Sequence, residues 1–132
     1  MWTEHGNDLP SELVSIDIYR LRCNFNWYSK LPASLKSLNI DFSFFNPDWD
    51  TLPPQLEELK LKNSSIVSES LARLPQSLKT LELSEIRNIT SEDDFPSLLP
   101  KNLTRISISR DSLSHSVLQH LPVTLTDFEV VI

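Results

Sequence analysis

Leu-Pro-x-x-Leu recurs six times along this chain, starting at Leu9, Leu31, Leu52, Leu74, Leu99 and Leu121, with successive copies 22, 21, 22, 25 and 22 residues apart. Six of the nine prolines fall in this one register. A period of this size, carried through most of 132 residues, restricts the chain to folds built by stacking one small unit. After each copy the pattern runs on as x-x-φ-x-φ, with φ a large aliphatic or aromatic residue. The φ pairs are Ile16/Ile18, Leu38/Ile40, Leu59/Leu61, Leu81/Leu83, Ile106/Ile108 and Phe128/Val130. Alternation with a period of two marks a short strand that turns its φ side chains inward and the intervening ones to solvent. An amphipathic helix is the competing reading of Leu-x-x-Leu. Proline just ahead of each run opposes it, and the φ-x-φ step would set neighbouring apolar groups about 200° apart on a helical wheel.

Beyond each strand another apolar residue recurs at Cys23, Phe45, Ile66 and Leu113, with Ile89 displaced by one. A further one precedes the next Leu-Pro at Trp27, Trp49, Leu71, Phe95 or Leu98, and Leu118. Each unit thus sends apolar groups inward from several sides. Segments 68–73 and 112–120 suit short helices, with Ser68 or Asp111 as N-cap. Segments 27–30 and 49–51 are too short for more than an extended or single-turn link.

Three stretches, Leu35-Lys36-Ser37-Leu38-Asn39-Ile40, Leu56-Glu57-Glu58-Leu59-Lys60-Leu61 and Leu78-Lys79-Thr80-Leu81-Glu82-Leu83, resemble leucine-rich repeats of the L-x-x-L-x-L type. The Leu-Pro start is similar to the short repeats of bacterial effector proteins. Phe25-Asn26 and Phe45-Asn46 resemble the amoebal FNIP variety. The resemblance covers Leu9 to Ile132 and implies an α/β-type solenoid: one leucine-rich-repeat domain over 1–132, arched around a parallel sheet of about six short strands. Its convex side would be mostly loops and short helical turns. The chain departs from the family at the asparagine that ladders between coils, where it has Leu21, Ser43, Ser64, Ile86 and Asp111. Other groups must therefore satisfy the turn after each strand. One coil cannot bury its own apolar face, so stacking supplies the core. Six strands at ~4.8 Å spacing span about 24 Å. The longest interval carries Ser91-Glu92-Asp93-Asp94, most simply a convex loop.

The last strand, Phe128-Glu129-Val130-Val131-Ile132, is expected to lie at an open edge. There Leu121, Leu125, Phe128, Val130 and Ile132 would each lack a neighbour, forgoing roughly 5 kcal/mol of burial. That edge predicts either a homo-oligomer joined through Phe128, Val130 and Ile132, or a chain cut from a longer protein, with a tolerated frayed end as the alternative.

Composition narrows the function classes. One glycine leaves no glycine-rich phosphate cradle or dinucleotide fingerprint. A formal net charge of -6 argues against nucleic acid and anionic membrane as partners. The sequence has neither an apolar run of ~18 residues nor a basic, apolar leader, and its single Cys suits a reducing, cytoplasmic setting, or a host cytoplasm for a delivered effector. His5, His115 and His120 lack metal-ligand spacing, so no metal or cofactor is expected. Cys23 sits in an inward column, and Asp93 and Asp94 are adjacent in a loop, so neither offers a catalytic set. Three matches to glycosylation acceptors, at Asn63, Asn88 and Asn102, are read as accidental in a chain this rich in Ser and Thr.

Binding is then expected on the outward strand positions and what adjoins them. The central column is Asp17, Asn39, Lys60, Glu82, Ser107 and Glu129, and the next is Tyr19, Asp41, Lys62, Ser84, Ser109 and Val131. Beyond these lie Arg20, Phe42, Asn63, Glu85, Arg110 and Ile132. Tyr19, Arg20, Asp41, Phe42, Lys60, Lys62, Glu82, Arg105 and Arg110 are the candidate protein-binding residues, led by the aromatic and arginine side chains that dominate interfaces. Phe42 fits an inward position beside Phe44 and Phe45 equally well. The strand face offers only a few hundred Å², against ~800 Å² per partner in a standard interface. Loops or further repeats must therefore join in. The expected function is a non-enzymatic protein–protein interaction module. The alternative is the substrate-recognition part of a larger ubiquitin-ligase-type effector enzyme, its catalytic domain lying outside this chain.

Overall fold

A leucine placed before proline is pushed into extended backbone, and the proline ring fixes its own φ, so each Leu-Pro primes a turn. In the computed structural model, which describes residues 9–19, 31–41, 52–63, 73–84, 99–109 and 121–131, the turn closes within the motif. The proline carbonyl accepts a hydrogen bond from the N–H of the leucine three residues on, in the pairs Pro10/Leu13, Pro32/Leu35, Pro53/Leu56, Pro75/Leu78 and Pro122/Leu125, at 3.1 to 3.2 Å. Two residues later a strand begins.

The strands are β1 (Ser15–Tyr19), β2 (Ser37–Asp41), β3 (Glu58–Lys62), β4 (Thr80–Ser84), β5 (Arg105–Ser109) and β6 (Asp127–Val131). They form one parallel sheet in chain order. No helix occurs among the described residues. The register follows the repeat: Ile16, Leu38, Leu59, Leu81, Ile106 and Phe128 align across the sheet. So do Ile18, Ile40, Leu61, Leu83, Ile108 and Val130. The long fourth interval leaves this alignment intact, since Thr80 to Leu83 still pair with Arg105 to Ile108.

The core is the inner face of this sheet together with the motif leucines. Leu35, Leu56, Leu78 and Leu103 are fully buried, as are Leu38, Leu59, Leu81 and Ile106. At the two ends Leu9, Leu13 and Ile18, and Leu121, Leu125 and Phe128, are only partly buried against it. Each fully buried aliphatic side chain contributes about 1.5–3 kcal/mol of burial.

Between repeats a second set of bonds runs along the stack. The carbonyl of Lys36 accepts from both Glu57 and Glu58 N–H at 2.8 and 2.9 Å, and Val14, Glu57, Lys79 and Thr104 do the same for the repeats that follow them. Beside this line a column of short polar side chains reaches back to the preceding repeat. Ser34 Oγ donates to the Leu13 carbonyl (2.7 Å), Ser77 Oγ to that of Leu56 (2.6 Å) and Thr124 Oγ1 to that of Leu103 (2.7 Å). Asn102 Nδ2 donates to the Gln76 carbonyl at 3.1 Å. The column occupies the residue before the second leucine of Leu-Pro-x-x-Leu.

One expectation is corrected. Ser107 and Ser109 occupy outward columns but are buried, at 2% and 9% exposure. Ser107 lies in register between Glu82 and Glu129, and its side chain is too short to rise past them. The inward columns at Cys23 and Trp27 with their counterparts, the short helices, the acidic insertion and the convex side all fall outside the described residues.

Candidate protein-interaction face

Strand alternation sends every second side chain of β1 to β6 to the polar face, and parallel register sets equivalent side chains about 4.8 Å apart in rows. Charged neighbours at that spacing meet. Lys60 Nζ lies 3.0 Å from Glu58 Oε1 on its own strand and 2.9 Å from Glu82 Oε2 on β4. Hydrogen bonds to Glu82 first and Glu58 second raise the Lys60 pKa above its ordinary value, against a small opposing effect of burial. On β5 the Arg105 guanidinium bonds Asp127 through Nη1 and Glu129 through Nη2, the latter at 2.9 Å. Its pKa is raised, chiefly by the hydrogen bond to Asp127.

The N-terminal half of the face is held by neutral or mixed contacts. Asn39 Nδ2 donates to the Tyr19 hydroxyl at 3.1 Å, and Ser37 Oγ donates to Glu58 Oε2 at 3.2 Å. Asn63 Nδ2 donates to Asp41 Oδ1 at 2.7 Å. Asp41 and Lys62 are register partners in the same column. Tyr19 keeps 62% of its surface exposed although its hydroxyl is bonded.

Tyr19, Asp41, Lys60, Lys62, Glu82 and Arg105 therefore share one face of the sheet, with Phe128 and Val130 on the opposite side of β6. Arg20, Phe42, Arg110 and Ile132 lie outside the described residues. Sequence reading passed over Asn39, Glu58, Asp127 and Glu129 as candidates. The first outward column (Ser15, Ser37, Glu58, Thr80, Arg105, Asp127) supplies two of them. Its signal is simple: it stands two residues before the central column, on the same face.

Among the described residues this face offers hydrogen-bonded donors and acceptors and the exposed aromatic side chain of Tyr19. Among the described residues, no group of three or more His, Cys, Asp or Glu is arranged to hold a metal ion. No helix among them is long and apolar enough to cross a membrane. Compared with known proteins, the chain matches no family model, no curated protein and no solved structure.

Proposed function

We propose that this chain is a leucine-rich-repeat arc acting as a non-enzymatic protein-interaction module, which meets a partner protein with the polar face of its sheet and the connections beside it. The observation that carries this reading is the tethering of that face by contacts across and along its strands. Tyr19 is held by Asn39, Lys60 by Glu58 and Glu82, and Arg105 by Asp127 and Glu129. Side chains ordered before contact lose less rotamer freedom on binding, so more of each contact is realised as affinity. Tyr19 and Arg105 are of the residue types that carry most interface energy. The face alone stays below the ~800 Å² of a standard interface, so the partner also rests on the adjoining segments.

The test is affinity capture with crosslinking, comparing the natural chain with one carrying Tyr19→Ala, Lys60→Ala and Arg105→Ala. A bound protein recovered with the natural chain should fall at least about fivefold with the triple variant, given a cost of more than ~1 kcal/mol at each of one or two anchors. Equal recovery, with circular dichroism showing the variant folded, would remove this face from consideration.

A further inference from the structure

The outward side chains of β4, β5 and β6 place Glu82, Ser107 and Glu129 side by side in one row of the polar face. Ile106 and Ile108, on either side of Ser107 in the chain, are fully buried in the core, so strand alternation turns Ser107 the other way. Ser107 is nevertheless 2% exposed, and its hydroxyl makes no hydrogen bond among the described residues. Ser37, on the same face, behaves differently: its Oγ donates to Glu58 Oε2. Because β5 has a strand on both sides, the shelter of Ser107 comes from its neighbours and owes nothing to either end of the sheet. A buried hydroxyl is ordinarily bonded, and one without a partner bears its desolvation uncompensated.

The charge around this hydroxyl is unbalanced. In the first and central outward columns of β3 to β6, Glu58, Glu82, Asp127 and Glu129 share two cations, Lys60 and Arg105, each bonded to two of them. Two negative charges are left over in this cluster. Glu82 and Glu129 each engage a cation through Oε2, and a carboxylate has about four acceptor sites, so each has room for a further donor. The row therefore offers carboxylate, hydroxyl and carboxylate at strand spacing, about 4.8 Å apart. An anion would meet two carboxylates, and a neutral amide would leave the surplus charge where it is. A lysine ammonium or an arginine guanidinium brings positive charge, several N–H donors and no acceptor. Glu82, Arg105 and Glu129 are long side chains with partly exposed tips, so rotamers rather than backbone set the opening above Ser107.

We propose that this row seats a basic side chain, a lysine or arginine of the protein that the polar face meets, its donors shared between Glu82, Glu129 and the Ser107 hydroxyl. The inference rests on the interaction reading above and adds the chemistry of the partner: the surface laid against β4 to β6 is basic. The surplus charge attracts the cation, and the hydroxyl gains a bond only when the cation is seated.

Fluorescein-labelled tetralysine, titrated by anisotropy at low salt against the full 132-residue chain, probes the row, with tetraglutamate as the control. The natural chain should bind tetralysine and not tetraglutamate. Glu82→Gln combined with Glu129→Gln should weaken binding about three- to tenfold, the size expected when two exposed ion pairs are lost. Ser107→Ala should weaken it about two- to fivefold, the size of one hydrogen bond. Glu12→Gln combined with Glu57→Gln removes equal charge away from the row and should have a smaller effect than the Glu82 and Glu129 pair. Ser107→Ala also removes a buried hydroxyl that the fold leaves unbonded, so its urea midpoint should not fall below that of the natural chain. No tetralysine binding at millimolar concentration, an equal loss in the Glu12 and Glu57 control, or a lowered midpoint for Ser107→Ala would each overturn the inference. These variants spare Tyr19, Lys60 and Arg105, so the capture experiment still decides the interaction reading by itself.

Discussion

Asn63 follows β3 with φ at 56°, the positive-φ residue among the described non-glycine positions. Asparagine tolerates this left-handed conformation better than most residues, and here its side chain is engaged as well. Nδ2 donates to Asp41 and the backbone N–H donates to the Ser84 carbonyl, so one residue links three repeats. Asn63→Ala loses the side-chain bond and places a Cβ without compensation in the left-handed region, a combined cost of about 1–3 kcal/mol. Asn63→Gly loses the bond but not the conformational ease. Denaturant unfolding should rank the variants natural, then Gly, then Ala. Lys60 gives a pH signature. Its folded pKa is raised above the unfolded value of about 10.4, so its contribution is complete below the unfolded value and fades as pH rises through the folded one. Its side chain is 37% exposed, and solvent screening holds the contribution to about 0–1 kcal/mol. Lys60→Met should therefore lower stability slightly at neutral pH, and the gap to the natural chain should close in strongly alkaline buffer. A gap that does not narrow in strongly alkaline buffer would assign the effect to packing of the lysine stem.

At the scale of the element, the same motif yields the same turn and strand six times, but its energetic weight depends on what stands on either side. Leu78 and Leu125 occupy identical places in Leu-Pro-x-x-Leu, yet Leu78 is fully buried and Leu125 only partly. Leu78→Ala should cost about 2–5 kcal/mol, and Leu125→Ala about half as much, read as the shift in urea midpoint at constant slope. Equal costs would mean that the edge leucine is covered as well as the central one. Much of this architecture was legible because the information is local. Proline fixes the turn, period-two alternation fixes the strand faces, and the constant place of the φ pair after each Leu-Pro-x-x-Leu fixes the register. What escaped was set by neighbours. Ser107 lies on the outward side as its position demands, but its burial depends on the length of Glu82 and Glu129, which belong to other strands. The polar ladder escaped because Ser34, Ser77, Asn102 and Thr124 are mixed in type and read as ordinary surface polarity until the stack brings a carbonyl beneath each. For the candidate site, sequence placed Lys60, Glu82 and Arg105 as outward charges. Their pairing with Glu58, Asp127 and Glu129 needed the sheet, because each pair joins residues whose approach is decided by register and side-chain reach.

At the scale of the whole molecule, strand order equals chain order, and the strand contacts are concentrated between consecutive neighbours. Stability in such an array is close to a sum of repeat terms and nearest-neighbour interfaces, so its ends open at lower cost than its middle. The burial gradient points the same way: β2, β3 and β4 carry both φ residues buried, while Ile18 of β1 and Phe128 of β6 are partly exposed. The 25-residue interval between the fourth and fifth motifs does not interrupt this order, because β4 and β5 keep the common register across it. Hydrogen exchange should therefore report a gradient rather than one value. Backbone amides of Leu59 to Leu61 and Leu81 to Leu83 should exchange most slowly, and those of β1 and β6 fastest, in mass-spectrometric time courses at neutral pH. Uniform protection across all six strands would show instead that the sheet opens as a single cooperative unit, with interfaces too strong for its ends to separate from its centre.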